Sequence, residues 1–276
     1  GNENVTMAVV RPTESMSYHY RNGEGHELYF VHQGEGPLHS QFGKLDFGPG
    51  DYINIPISTT WRMELRGAGH RMLVFESAHD FEPPQRYRNE YGQFLEHSPY
   101  CERDIRVPRE LETCDEKGDF EVRVKARGEF HRHILDHHPL DVIGWDGFLY
   151  PYAFNIADFE PITGRVHQPP PVHQTFEGWN FVICSFVPRL FDYHPLAIPA
   201  PYNHANVNSD EVLYYAEGNF MSRKGVEQFD FSLHPGGLPH GPHPGTMEAS
   251  IGKARTEELA VMCDTFHPLH VTAFAL

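Results

Sequence analysis

Three side chains in the second half of the sequence could share one metal ion. His204 opens the run His204-Ala-Asn-Val-Asn-Ser-Asp-Glu211, Gly218 closes it, and Pro235-Gly-Gly-Leu-Pro-His240 follows. The two segments offer an imidazole, a carboxylate and a second imidazole on what read as adjacent strands. Two histidines and one carboxylate on one face of a metal leave its other positions open. Non-heme Fe(II) uses that arrangement to bind O2 and a substrate together. Without a metal the same three residues would form a proton-linked polar cluster, and a buried carboxylate with no partner is costly. Asp210, next to Glu211, is the rival carboxylate.

The elements that must position these residues read as strands. The chain has 276 residues, 39% hydrophobic and 22% charged, enough for a packed core and for one large or two modest domains. Twenty-three prolines, 24 glycines and 13% aromatics favour short strands between frequent turns. Lys44–Trp61, Phe120–Ala126 and Trp179–Val187 are rich in β-branched and aromatic residues. A formal charge of −16 speaks against nucleic acid or an anionic membrane as partner, because both require clustered Lys and Arg. A small anionic substrate remains compatible with a local Arg or His pocket. Cys101, Cys114, Cys184 and Cys263 lie far apart with no C-x-x-C, which reads as reduced thiols in a cytoplasmic protein. No run approaches the roughly 18 apolar residues that span a bilayer, and no basic-plus-apolar leader opens the chain.

The sequence also contains a weak copy of itself. Tyr20-Arg-Asn22, Glu27 and Gly34 have the same offsets as His204-Ala-Asn206, Glu211 and Gly218. Gly48-Pro-Gly50-Asp51 leads to Pro56 and then Trp61, the step that separates Pro235 from His240. The expected fold is therefore all-β: two similar β-barrels of jelly-roll type with few short helices. Tyr20 and Trp61 stand where His204 and His240 stand, so the first barrel is expected to be packed and metal-free, with Glu27 structural. The second holds the ion. The expected division is residues 1–118, barrel plus linker, and residues 119–276, with the joint inside Phe81–Asp119, a stretch rich in charge and proline.

These offsets match the cupin pattern, His-x-(His or Asn)-x4-Glu-x6-Gly followed by Pro-x-Gly-x2-His, with Asn206 in place of the usual second histidine. Among cupins, His204-x-Asn206, Glu211, and His234 six residues before His240-Gly-Pro242 resemble the homogentisate 1,2-dioxygenase family. Pro139–Tyr152, with Trp145 inside it, Phe81-Glu-Pro-Pro84 and Arg103–Pro108 extend the likeness over most of the chain. The resemblance implies a bicupin with His204, Glu211 and His240 as Fe(II) ligands. It implies His167 as acid/base on a ring hydroxyl, with His173 in the same loop as the alternative, and His234 close to the substrate. Tyr202 would contact the substrate, and Phe220 replaces a tyrosine common in the family.

His243 misses the motif spacing and is placed at the substrate. Arg189, and more remotely Arg165, could pair with a substrate carboxylate, since a guanidinium binds one through two hydrogen bonds. His131, His133, His137 and His138 are clustered, but no carboxylate-and-glycine pattern follows them, and they are not expected to hold metal.

The activity so implied is Fe(II)-dependent cleavage of homogentisate by O2 to maleylacetoacetate, in tyrosine and phenylalanine breakdown, by a trimer or hexamer. The ring supplies the electrons. Gentisate or another hydroxylated aromatic acid is the alternative that Phe220 invites. A non-catalytic bicupin that binds metal or a small acid is a third reading, and an isomerase or decarboxylase would turn over without oxygen.

Overall fold

The computed structural model describes residues 1–142, 147–168, 170–218, 220 and 223–275. Trp145 lies outside the described residues. The chain divides into two compact units. An N-terminal unit comprises Val5–Phe81 and Glu102–Ile156; a C-terminal unit comprises Gly1–Asn4, Glu82–Cys101 and Ala157–Leu276.

The N-terminal unit contains β1 (Thr6–Val10), β2 (His19–Asn22), β3 (His26–Ser40), β4 (Gly43–Phe47), β5 (Asp51–Ile55), β6 (Thr60–Met63), β7 (Arg66–Ser77), β8 (Ile105–Arg106), β9 (Lys117–Ala126), β10 (Glu129–His137) and β11 (Tyr152–Asn155). They form one sheet with the path β10-β9-β2-β6-β3-β5-β11-β8, to which β1, β4 and β7 add through β3 and β7. The β5 sequence Asp-Tyr-Ile-Asn-Ile is buried at every position, as expected for a strand covered on both faces. Gly50 turns the chain into it at φ +86°, where a side chain would be strained. Val31, Leu38, Ile53, Trp61 and Met72 lie in the core of this unit.

The C-terminal unit contains β12 (Gln174–Gly178), β13 (Phe181–Phe186), β14 (Arg189–Leu190), β15 (Asp210–Glu217), β16 (Phe231–His234), β17 (Arg255–Thr256) and β18 (Leu259–Thr265), with a short α-helix, α1 (Thr246–Ser250), and short 3-10 turns. Five strands form the sheet β12-β13-β18-β15-β16, and β14 pairs with β17. Tyr215, Phe220 and Ala260 are buried together, with Phe186, Leu213 and Val226 packed against them.

The all-β class is as expected. The expected closed barrels are a different matter: the described strands pair as open paths. The boundary expected at residue 118 also differs from the two units. β9 pairs in parallel with β2, His19 opposite Val122, and β10 pairs with β9, so residues after 118 complete the N-terminal sheet. Glu82 forms backbone hydrogen bonds with Glu177, and of the segment expected to hold the joint Glu82–Cys101 belongs to the C-terminal unit while the rest belongs to the N-terminal one. All four cysteines are free thiols. Among the described residues no helix is long and apolar enough to cross a membrane.

The sequence repeat reappears as strand register. Tyr20 pairs with Trp61 across β2 and β6, and His204 pairs with His240 in an isolated antiparallel bridge. Glu27 lies opposite Glu76 and Ile55, and Glu211 lies opposite Asp264 and His234.

Candidate metal centre

Strand alternation decides which carboxylate faces the histidines. Successive side chains on β15 point to opposite faces, so Asp210 and Glu211 diverge. Both Asp210 oxygens accept backbone N–H groups, one from Gly236 at 2.7 Å and one from Leu269 at 2.7 Å. Asp210 therefore anchors two loops. Glu211, 8% exposed, turns toward the two histidines.

His204 and His240 are fixed by their own backbones, with hydrogen bonds of 2.9 and 2.8 Å between the two residues. Nδ1 of His204 lies 3.0 Å from the Tyr202 carbonyl, and Nδ1 of His240 lies 3.0 Å from the Leu238 carbonyl. A carbonyl only accepts, so each Nδ1 carries the proton and, in a neutral ring, each Nε2 presents a lone pair. Those lone pairs meet Glu211 Oε2, at 3.8 Å from His204 and 3.2 Å from His240. All three donor atoms lie within 4.8 Å of one another. Lone pairs converging on one point call for a cation, and this donor set fits a divalent transition metal.

The rest of the cluster orients Glu211. Asn206 donates its amide N–H to Oε2. His234 Nδ1 lies 3.2 Å from Oε1, and its Nε2 lies 2.8 Å from Arg223 Nη2. Arginine can only donate, so His234 Nε2 accepts and His234 Nδ1–H donates to Glu211. His234, 9% exposed, has a partner on each ring nitrogen and is stacked on His240 at 4.4 Å. Burial would raise the Glu211 carboxyl. The His234 hydrogen bond and the fields of His240, His234 and His204 outweigh it and hold the group below its ordinary range. Asp264, opposite Glu211 on β18, shifts the other way: burial and then the Glu211 charge push its carboxyl up to about 7.

The remaining candidates spread outward from the centre. The Tyr202 ring lies 5.7 Å from that of His204, and the His167 ring 6.0 Å from that of Tyr202. His167 is exposed and 3.7 Å from Asp192. His173 packs on Phe186 at 4.6 Å, its Nδ1 has no hydrogen-bond partner, and burial followed by the charge of Arg189 pushes its imidazole down to about 3. Phe220 is buried edge-on against Tyr215 at 4.7 Å. His243 Nδ1 accepts the Lys224 backbone N–H at 3.1 Å. Arg189 pairs with Glu258 at 3.2 Å and spans Phe186.

Sequence reasoning missed Arg223 and Asp264. Neither occupies a motif position, and the register that Asp264 shares with Glu76 is visible only once the strands are paired.

Two other features touch on metal binding. Cys114, Glu116 and His138 also bring donor atoms within 4.8 Å of one another, but His138 Nδ1 already accepts the Leu140 N–H at 3.2 Å. His131 lies on the exposed strand β10, with Nε2 at 3.1 Å from the Ala126 carbonyl.

Fold and centre together define a β-sheet protein with a two-histidine, one-glutamate site. The chain belongs to the homogentisate 1,2-dioxygenase family: residues 2–156 match the family described as homogentisate 1,2-dioxygenase N-terminal. It is 42% identical, over 99% of its length and 71% of the relative's, to a Saccharolobus solfataricus protein that bears a provisional dioxygenase name. A homogentisate 1,2-dioxygenase of Bradyrhizobium diazoefficiens is 28% identical over 95% of this chain, which spans only 61% of that relative. Among solved structures, a cupin 2 conserved barrel domain protein from Leptotrichia buccalis is similar with a TM-score of 0.42 and 11% identity, over 97% of this chain and 86% of that one.

Proposed function

We propose that this chain carries the Fe(II) centre of a ring-cleaving dioxygenase that acts on a small hydroxylated aromatic acid, with homogentisate the leading substrate. The observation that supports it most is the convergence of His204 Nε2, His240 Nε2 and Glu211 Oε2, with both Nδ1 atoms turned to carbonyls. When bound there, Fe(II) supplies a centre that can accept O2 and an electron-rich ring on one face. The chain's own residues do the rest. Asn206 and His234 hold Glu211 so that Oε2 faces the histidines. Tyr202 lies between His204 and His167, so a ring resting against Tyr202 has His167 beside it as proton acceptor. His173 stays neutral and can accept a hydrogen bond without holding a charge. His234 is occupied on both nitrogens and serves as a positioning group rather than a proton carrier.

Phe220 favours a second reading. Where the family commonly offers a phenol, this chain places a buried apolar ring against Tyr215, which suits gentisate or another aromatic acid. The bicupin architecture, a homo-oligomer that is a trimer or hexamer, and a cytoplasmic setting belong to the same proposal.

The test is metal content and O2 uptake with homogentisate and gentisate, in the wild type and in His240→Ala. The proposal expects one metal per chain, oxygen consumed with one of the acids, and loss of both in the variant. Turnover without oxygen would point to an isomerase or decarboxylase. Full metal and unchanged turnover in His240→Ala would remove the centre from the reaction.

A further inference from the structure

We infer that Arg223 recognises the carboxylate of the acid substrate. The inference rests on the proposed function and adds the group that would select an acid over a neutral ring.

Acidic residues outnumber basic ones in this chain by 38 to 22, and among the described residues nine of its 17 arginines lie within 4.0 Å of a carboxylate. In the C-terminal unit Arg88 holds Glu82, Arg189 holds Glu258 and Arg255 holds Glu257. Arg223 is half-buried, and among the described residues no carboxylate lies within 4.0 Å of it. Its hydrogen bond there goes to His234 Nε2, at 2.8 Å. An imidazole nitrogen takes one N–H and brings no negative charge. The guanidinium carries five N–H donors in a planar fork shaped for a carboxylate, so most of that fork is left to a ligand.

Its position fits that use. Arg223 is one imidazole ring and two hydrogen bonds, of 3.2 and 2.8 Å, from Glu211. An aromatic acid whose hydroxyl end is at the metal-binding atoms has its ring and side arm to cover such a span. Phe220 and Tyr215 are buried against each other just before Arg223 in the chain, so its loop starts from an apolar anchor. Arg189, the guanidinium expected from the sequence, is already engaged by Glu258, and Arg165 is exposed. Arg223 is therefore the guanidinium that both contacts the centre and lacks a counter-charge among the described residues.

The test compares binding with catalysis left out. Protein loaded with Zn(II) is titrated calorimetrically with 2-hydroxyphenylacetate and with the matching amide, in the wild type, Arg223→Gln and Arg223→Lys, and the metal content of each is measured. Wild type should prefer the acid by about 10- to 100-fold, the range of a charged hydrogen bond. Arg223→Gln should keep its metal and lose that preference, and Arg223→Lys should keep part of it. If Arg223→Gln still prefers the acid as wild type does, the inference is overturned and the proposed function stands. If both variants lose metal, Arg223 serves only to support His234, and the inference is again overturned. If wild type binds metal but neither compound, the inference and the aromatic-acid reading fall together.

Discussion

Replacing Glu27 with glutamine should remove a pH-dependent loss of stability. Glu27 is 4% exposed in the N-terminal unit. Tyr20 and Tyr29 each donate to Oε1 at 3.4 Å, while Oε2 is buried without a partner. Burial first, and then the nearby charge of Glu76, push the carboxyl up from its ordinary 4.5 to about 7. Between those values the folded chain keeps a proton that the unfolded chain has released. The native state binds more protons there, so stability falls as pH rises through the window and is level on either side of it. Each unit is worth about 1.36 kcal/mol, so the wild type loses on the order of 3 kcal/mol between pH 4.5 and 8. Glutamine has the same shape and never ionises. The stability difference between variant and wild type should therefore shift by about 3 kcal/mol in favour of the variant over that range, whatever its starting value. Guanidinium denaturation of both proteins at half-unit pH steps reads this directly, since all other titrating groups cancel in the difference. Two parallel curves would show that Glu27 titrates alike in the folded and unfolded chains, and the reasoning about its burial would be refuted.

Asn206→Ala should weaken metal binding by about 10- to 100-fold, because the amide that holds Glu211 Oε2 is lost; a competition titration with an unchanged dissociation constant would count against that role. Tyr20→Phe should leave metal content and turnover untouched and cost about 1 kcal/mol, since the lost hydroxyl serves only Glu27; a fall in bound metal would contradict this. Gly218→Ala should cost more than about 2 kcal/mol, because φ is +97° and an added Cβ would lie 2.2 Å from the Glu257 carbonyl oxygen. A melting temperature equal to wild type would mean that the end of β15 moves more easily than its packing implies.

The ligand candidates were legible because their spacing is local: a histidine, a glutamate seven residues on, and a histidine returning from a Pro-Gly turn. The motif spacing already favoured Glu211 over Asp210, and the alternation along β15 supplies the physical reason. Arg223 was hidden for a different reason. Its contact with His234 crosses a loop, and its meaning comes from which nitrogen holds a proton, a property of the assembled network. The all-β class followed from composition, but the assignment of β9 and β10 did not. Val122 and Val124 are strand residues in either unit, and only pairing with the four-residue strand β2 fixes where they belong. The charge and proline content of Phe81–Asp119 read as a linker, yet Glu82 pairs with Glu177. Chain that leaves one unit and returns to it has no compositional mark.

The two glutamates at matching positions show why the copies diverged in chemistry while keeping register. Glu27 and Glu211 each face a carboxylate across the sheet, Glu76 or Asp264, and each is buried, so desolvation acts on both in the same direction. Around Glu27 stand Tyr20, Tyr29 and Trp61, which fill space and carry no charge, and burial prevails. Around Glu211 stand His204, His234 and His240, and burial is overcome. The histidines that stand where Tyr20 and Trp61 stand, together with the hydrogen bond from His234, set a lowered carboxyl where the N-terminal unit holds a raised one. Glu211, held by Asn206 and His234, and two imidazoles whose Nδ1 atoms face carbonyls bring three electron-pair donors to one point. A cation proposed for this chain therefore falls in the C-terminal unit, where His204–His240 and Glu211–Asp264 repeat the pairings Tyr20–Trp61 and Glu27–Glu76.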